Sequence, residues 1–188
     1  MSHWKASQLS FCCLAVAMIA ALSLNSANAQ QRPRDSGAKA RGEFGTGFWT
    51  NQRASRSIQH ARDYSRDLYR YSRDATAVSP EVAKSESENL GKNIESAKKE
   101  LATVAKQYDG DKEVQAALET ISKHLAKAAE VHDQLHQECC KDAPDGGVTM
   151  ECCSDITKEL DKAAAEHAAL MRTLEQRAKS NEAKPDKE

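Results

Sequence analysis

The sequence predicts an all-α protein, an up-down-up-down four-helix bundle flanked by disordered N- and C-terminal tails. Three observations carry this. Apolar residues recur at spacings of three and four from Thr50 to the chain's last tenth, glycine and proline cluster at turns, and no alternating strand pattern appears.

The first 29 residues read as an export signal. Lys5 supplies a short positive region, Phe11 to Leu24 is apolar, and Ala27-Asn28-Ala29 gives a small-x-small cleavage pattern that places the mature start at Gln30. Cys12 and Cys13 would leave with this segment, and no lipid-anchor pattern follows it. The apolar run is shorter than the roughly 20 residues a membrane span needs, and nothing later is more apolar, so no membrane span is predicted. The expected location is periplasmic or secreted. Residues 30–48, with Pro33, Gly37, Gly42, Gly45 and Gly47, have the composition of a flexible leader. Within it Phe44, Phe48 and Trp49 are expected to tuck against the end of the bundle. The bundle domain spans 49–179, and the polar residues 180–188 form a frayed tail.

The first helix is expected from about Thr50 to Val78 on the stripe Ala54, Ile58, Ala61, Tyr64, Leu68, Tyr71, Ala75. Ser79-Pro80 opens the second, a cap followed by proline at the first helical position, with Val82, Leu90, Ile94, Ala97, Leu101, Val104 and Tyr108 facing inward. Asp109-Gly110 ends it, and Asp111 caps the third. The third helix keeps a heptad through Val114, Leu118, Ile121, Leu125, Ala128, His132, Leu135 and Cys139. The fourth does so through Cys153, Ile156, Leu160, Ala163, His167, Leu170 and Leu174. Alanine-rich seams also allow antiparallel helical hairpins that pair as a homodimer.

Chemistry concentrates at the turn between the third and fourth helices. Cys139-Cys140 and Cys152-Cys153 flank an eleven-residue segment, 141–151, containing Pro144, Gly146 and Gly147. His132 and His136 precede the first pair at helical spacing. Two readings use the same atoms. Reduced, the set His132, His136, Cys139, Cys140, Cys152 and Cys153 offers imidazole and thiolate to Zn²⁺ or Cu(I). The start of the fourth helix is expected to favour thiolate at Cys152 and Cys153. Oxidised, the four thiols staple the hairpin. A seam passing between the members of each pair favours Cys139–Cys152 with Cys140–Cys153. One bridge closing about 15 residues accounts for roughly 3 kcal/mol, and a second adds much less, so two cysteines exceed what stapling needs. A thiol redox protein is a third reading, weakened by the absence of Cys-x-x-Cys.

The formal net charge of −1 conceals an asymmetry. Residues 30–75 hold ten basic and five acidic residues, whereas 76–188 hold sixteen basic and 23 acidic. Arg62, Arg66, Arg70 and Arg73 form a ridge on the first helix, within two Tyr-Ser-Arg-Asp repeats. It offers an anionic envelope or protein partner a flat contact, or pairs with Asp63, Asp67 and Asp74. Nucleic acid is not an expected partner for this charge balance. His60, His124 and His167 fall at similar heights and would share a ligand site only if all three faced inward. Neither a nucleophile–base pair nor a phosphate loop occurs, nor do the paired Glu-x-x-His motifs of a di-iron centre, so no enzyme is predicted.

Overall fold

The computed structural model describes residues 38–182. Within that span lie four helices: α1 (Ala38–Asp74), α2 (Pro80–Gln107), α3 (Lys112–Cys139) and α4 (Gly146–Glu182). Each packs on its sequence neighbours and α4 closes on α1, with no diagonal contact, so one chain completes an antiparallel bundle. The export signal expected over residues 1–29 lies outside the described residues, as does the tail beyond Glu182. Among the described residues, no helix is long and apolar enough to cross a membrane.

The core is the layered stripe that the heptads require. Ile58, Leu68, Leu90, Ile94, Leu101, Ile121, Leu125, Leu135, Ile156 and Leu160 are fully enclosed. Fully burying one such side chain is worth about 1.5–3 kcal/mol. One register detail differs from expectation. Ala83 is buried and Val82 is exposed, because position 83 lies one helical turn before Ser87 on the stripe that continues through Leu90 and Ile94.

The α2–α3 turn follows its sequence signals. Gly110 takes a φ of +90°, a conformation that glycine adopts without strain. Asp111 then accepts the Val114 amide at 3.2 Å, and Gln115 Nε2 donates to the Ala105 and Tyr108 carbonyls that end α2.

The two outer helices differ from the sequence reading. α1 begins at Ala38, inside the segment whose composition resembles a leader, and it stops at Asp74 instead of Val78. Gly47 is buried within it. A Cβ there would lie 3.3 Å from Gln107 Oε1, the end of a flexible side chain, and this glycine does not break the helix. Asn51 Nδ2 donates to its carbonyl at 3.0 Å. Phe48 and Trp49 do not tuck into the bundle end. They are 46% and 58% exposed and pack edge-to-face on each other, ring centroids 5.6 Å apart.

α4 likewise begins at Gly146, earlier than the expected end of the turn at residue 151. Asp145 Oδ1 accepts the amides of Gly147 (2.7 Å) and Val148 (3.0 Å), which caps the helix and draws both glycines into its first turn. Cys152 and Cys153 therefore lie in the second helical turn.

Candidate metal centre at the end of α3

α3 delivers His132, His136 and Cys139 on successive turns, and Cys140 caps its C-terminus, its amide donating to the His136 carbonyl at 3.0 Å. The loop behind is held by Glu138. Its buried carboxylate accepts Lys141 Nζ at 2.5 Å and the Asp145 amide at 2.8 Å. Those two donors hold the carboxyl below the usual range. The short α3–α4 connection is thereby tied at both ends without a covalent bridge.

Ser87 of α2 organises the imidazoles. Its hydroxyl lies 3.2 Å from His136 Nδ1, and its carbonyl lies 2.9 Å from His132 Nε2. A carbonyl only accepts, so Nε2 of His132 carries the proton. One consistent assignment for the rest has His136 Nδ1–H donating to the Ser87 hydroxyl. His136 Nε2 then turns a bare lone pair toward Cys140 Sγ, 3.6 Å away. The two rings stack at 6.0 Å with an 18° interplanar angle.

Gly91 of α2 is the notch into which His132 fits. A Cβ at that position would lie 2.6 Å from His132 Cε1. Beside this notch a groove of about 300 Å³ is lined by Glu88, Lys92, Glu95, His132, Asp133 and His136, among others. Ser87 and Gly91 are the members that the sequence reading did not single out. A glycine in mid-helix costs about 1 kcal/mol against alanine, and that cost was the available signal.

The thiols divide by environment. All four described cysteines are unbridged; Cys139, Cys152 and Cys153 are buried and Cys140 is exposed. Burial pushes the Cys139 thiol from an ordinary 9.0 up to about 11 and the Cys153 thiol up to about 12. Cys152 is raised as well, first by burial and then by Glu151 and Asp155. The expectation that the start of α4 would promote thiolate at Cys152 and Cys153 is thus corrected, since desolvation outweighs a helix terminus more than a turn away. Cys139, Cys152 and Cys153 are enclosed, while Cys140 turns outward to His136. Cys153 is further held in a polar niche, with Ser65 Oγ donating to its carbonyl at 2.8 Å and Thr157 Oγ1 donating to Ser65 at 3.0 Å.

Among the described residues, no group of three or more His, Cys, Asp or Glu side chains is already arranged to hold a metal ion. The structure sets the His136 ring between Ser87 and Cys140, keeps His132 one turn back on α3, and buries Cys139, Cys152 and Cys153.

The other candidate groups separate. His124 Nδ1 pairs with Glu159 at 2.7 Å, His60 lines a surface hollow with Asp63 and Asp67, and His167 is buried between α1 and α4. They lie in three different settings. On the arginine ridge, Arg62 and Arg66 both reach Asp161 of α4, at 2.6 and 3.0 Å, while Arg70 pairs with Asp67 and Arg73 with Asp74. Each arginine of the ridge is matched by an acid within the bundle.

No family model, curated protein or solved structure matches this chain.

Proposed function

We propose that the protein is an exported, non-enzymatic helical bundle that binds a soft transition metal, Zn²⁺ or Cu(I), at the thiol–imidazole end of α3. The observation that carries this reading is the 3.6 Å separation of His136 Nε2 and Cys140 Sγ, with Ser87 on the opposite ring nitrogen. Two ligands at zinc's usual bond lengths, near 2.05 Å to nitrogen and 2.3 Å to sulfur, stand about 3.6 Å apart across a tetrahedral angle. A histidine that ligates through one nitrogen typically anchors the other by a hydrogen bond, the place Ser87 takes. His132, Cys139, Cys152 and Cys153 lie within the same end of the bundle. Completing a four-ligand set requires the last turn of α3 to adjust against the Glu138 contacts that hold its loop.

The second reading is a disulfide-stapled structural or adaptor bundle without metal. It is favoured by the burial of Cys139 on α3 and of Cys152 and Cys153 on α4, in a chain whose sequence points to an oxidising compartment. Of the two bridges expected from spacing, Cys139–Cys152 joins two buried thiols. Cys140–Cys153 pairs an exposed thiol with a fully buried one. A thiol redox role is the third reading and would rest on Cys140, the accessible thiol.

Purification from the exported fraction, followed by intact mass after alkylation and elemental analysis, separates the three. Stoichiometric Zn or Cu with alkylatable thiols supports the metal centre. A mass two hydrogens lower for each bridge, with no metal gained after mild reduction, supports the staple. In the metal case, His132→Ala together with His136→Ala lowers affinity at least tenfold while leaving helicity intact. Unchanged affinity would leave the cysteines as the ligands.

A further inference from the structure

About 21 Å along α4 from Cys153, at 1.5 Å of rise per residue, the bundle opens into a cleft between α1 and α4. The cleft encloses about 360 Å³ and is lined by Asn51, Ile58 and Gln59 of α1 and by His167, Met171 and Arg172 of α4, among others. Engineered cavities of about 150 Å³ already accommodate benzene, so a small organic molecule fits.

Two of the lining side chains carry buried polar atoms with no partner, Asn51 Oδ1 and His167 Nε2. Asn51 is 1% exposed and His167 3%. The amide orientation is fixed chemically. Asn51 Nδ2 donates to the Gly47 carbonyl at 3.0 Å, and the reversed amide would place oxygen against oxygen. Asn51 therefore holds an unpartnered acceptor, Oδ1, enclosed in the wall of the cleft. Burial lowers the pKa of His167 and favours the neutral ring, so Nε2 donates or accepts according to tautomer. Buried polar groups in folded proteins are almost always satisfied, and each exception calls for a partner.

We propose that this cleft is a binding site for a small, neutral, hydroxylated molecule with an apolar body, an alcohol or a phenol. A hydroxyl is the group that both donates to Asn51 Oδ1 and accepts from His167 Nε2–H. Ile58, Ala164 and Met171 supply the apolar wall for the rest of the ligand. At the mouth stand Arg172 and Glu175, one charge of each sign, which gives no preference for an ion. One imidazole and one amide oxygen in a space this large do not suit a bare metal. The site is independent of the cysteine end and of the metal reading.

The test uses the exported chain from Gln30 onward, titrated with phenol and cyclohexanol and, as a control without a hydroxyl, benzene, followed by the His167 ring signals in NMR and by calorimetry. The expected result is saturable binding of at least one hydroxylated probe, with a His167 Nε2 shift, and binding of benzene at least tenfold weaker. Asn51→Leu and His167→Leu should each reduce affinity at least tenfold. Ala168→Met, at an exposed position on the rim, should block entry while the melting temperature stays unchanged, which keeps the test valid if a core variant unfolds. Non-saturable binding of both hydroxylated probes, equal affinity for benzene, or full affinity in Ala168→Met would overturn the proposal. So would two ordered waters that satisfy both atoms and resist displacement.

Discussion

At the scale of single residues, position within the cysteine end determines chemistry more than residue type does. Cys140 is exposed beside an imidazole, whereas Cys139 and Cys153 are enclosed and held protonated by burial. Thiolate is the reactive form, so iodoacetamide should modify one thiol per reduced chain quickly and the buried ones at least tenfold more slowly. Peptide mass mapping that shows equal rates at all four positions would contradict this placement. Gly91 gives a second residue-scale prediction. Alanine in place of glycine in a helix gains about 1 kcal/mol, but here its Cβ would occupy the space of the His132 ring. Swinging that ring away breaks its hydrogen bond to Ser87, worth a similar 0.5–1.5 kcal/mol. Gly91→Ala should therefore leave denaturant stability within about 1 kcal/mol of wild type. The His132 nitrogen signals should move, and metal affinity should fall. The spacing of His132, His136, Cys139 and Cys140 was legible because a single helix fixes it. Ser87 and Gly91 were not, because only the packing of α2 on α3 brings them there.

At the scale of elements, the inner helices were read to their ends and the outer ones were not, and glycine explains both outcomes. Gly110 stops α2 in a left-handed turn, the role that its neighbour Asp109 suggests. Gly47 and Gly146 look the same in sequence yet lie within helices, Gly47 beneath the tips of Gln107 and Tyr108 and Gly146 against the backbone at Ser72. A Cβ on Gly146 would meet the Ser72 carbonyl at 3.2 Å and Val78 at 3.3 Å. A pattern of neighbours in sequence does not distinguish a glycine that breaks a helix from one that packs against another. The deciding signal at α4 was Asp145, whose side chain caps the amides that both glycines bring with them. Asp145→Ala should cost about 1 kcal/mol in chemical denaturation and raise hydrogen exchange at Gly147 and Val148. Loss of stability without faster exchange there would place the effect elsewhere. Because α4 starts early, Cys152 and Cys153 are lodged in the core and not at a helix terminus, which is why their acidity was misjudged from sequence.

At the scale of the whole molecule, the two ends of the bundle bury titratable groups of opposite sense, and together they bound the pH range of maximal stability. His167 lies between α1 and α4; the lining residues of α1 carry no charge there, and α4 contributes Arg172 and Glu175 at the mouth. Burial lowers its pKa below the ordinary 6.5. Above 6.5 it is neutral folded or unfolded and contributes no pH dependence. As pH falls below 6.5 the unfolded chain takes the proton first, so stability drops until the folded pKa is passed. Asp111 and Glu138, whose pKa values are lowered by their partners, lose their contribution only in the more acidic range below 4.5. The thiols act in the other direction. Cys139 and Cys153 ionise at about 9.0 when unfolded but at about 11 and about 12 when folded. Their contribution is complete below pH 9 and is lost as pH rises through those values. The reduced protein should therefore show a plateau of melting temperature between about pH 6.5 and 9, with a decline on each side. His167→Leu should flatten the decline between pH 6.5 and 5, and Cys139→Ala with Cys153→Ala should flatten the one above pH 9. If the alkaline decline is missing in the exported protein but appears after reduction, the thiols are bridged there, and the staple accounts for this end of the molecule better than the metal centre does.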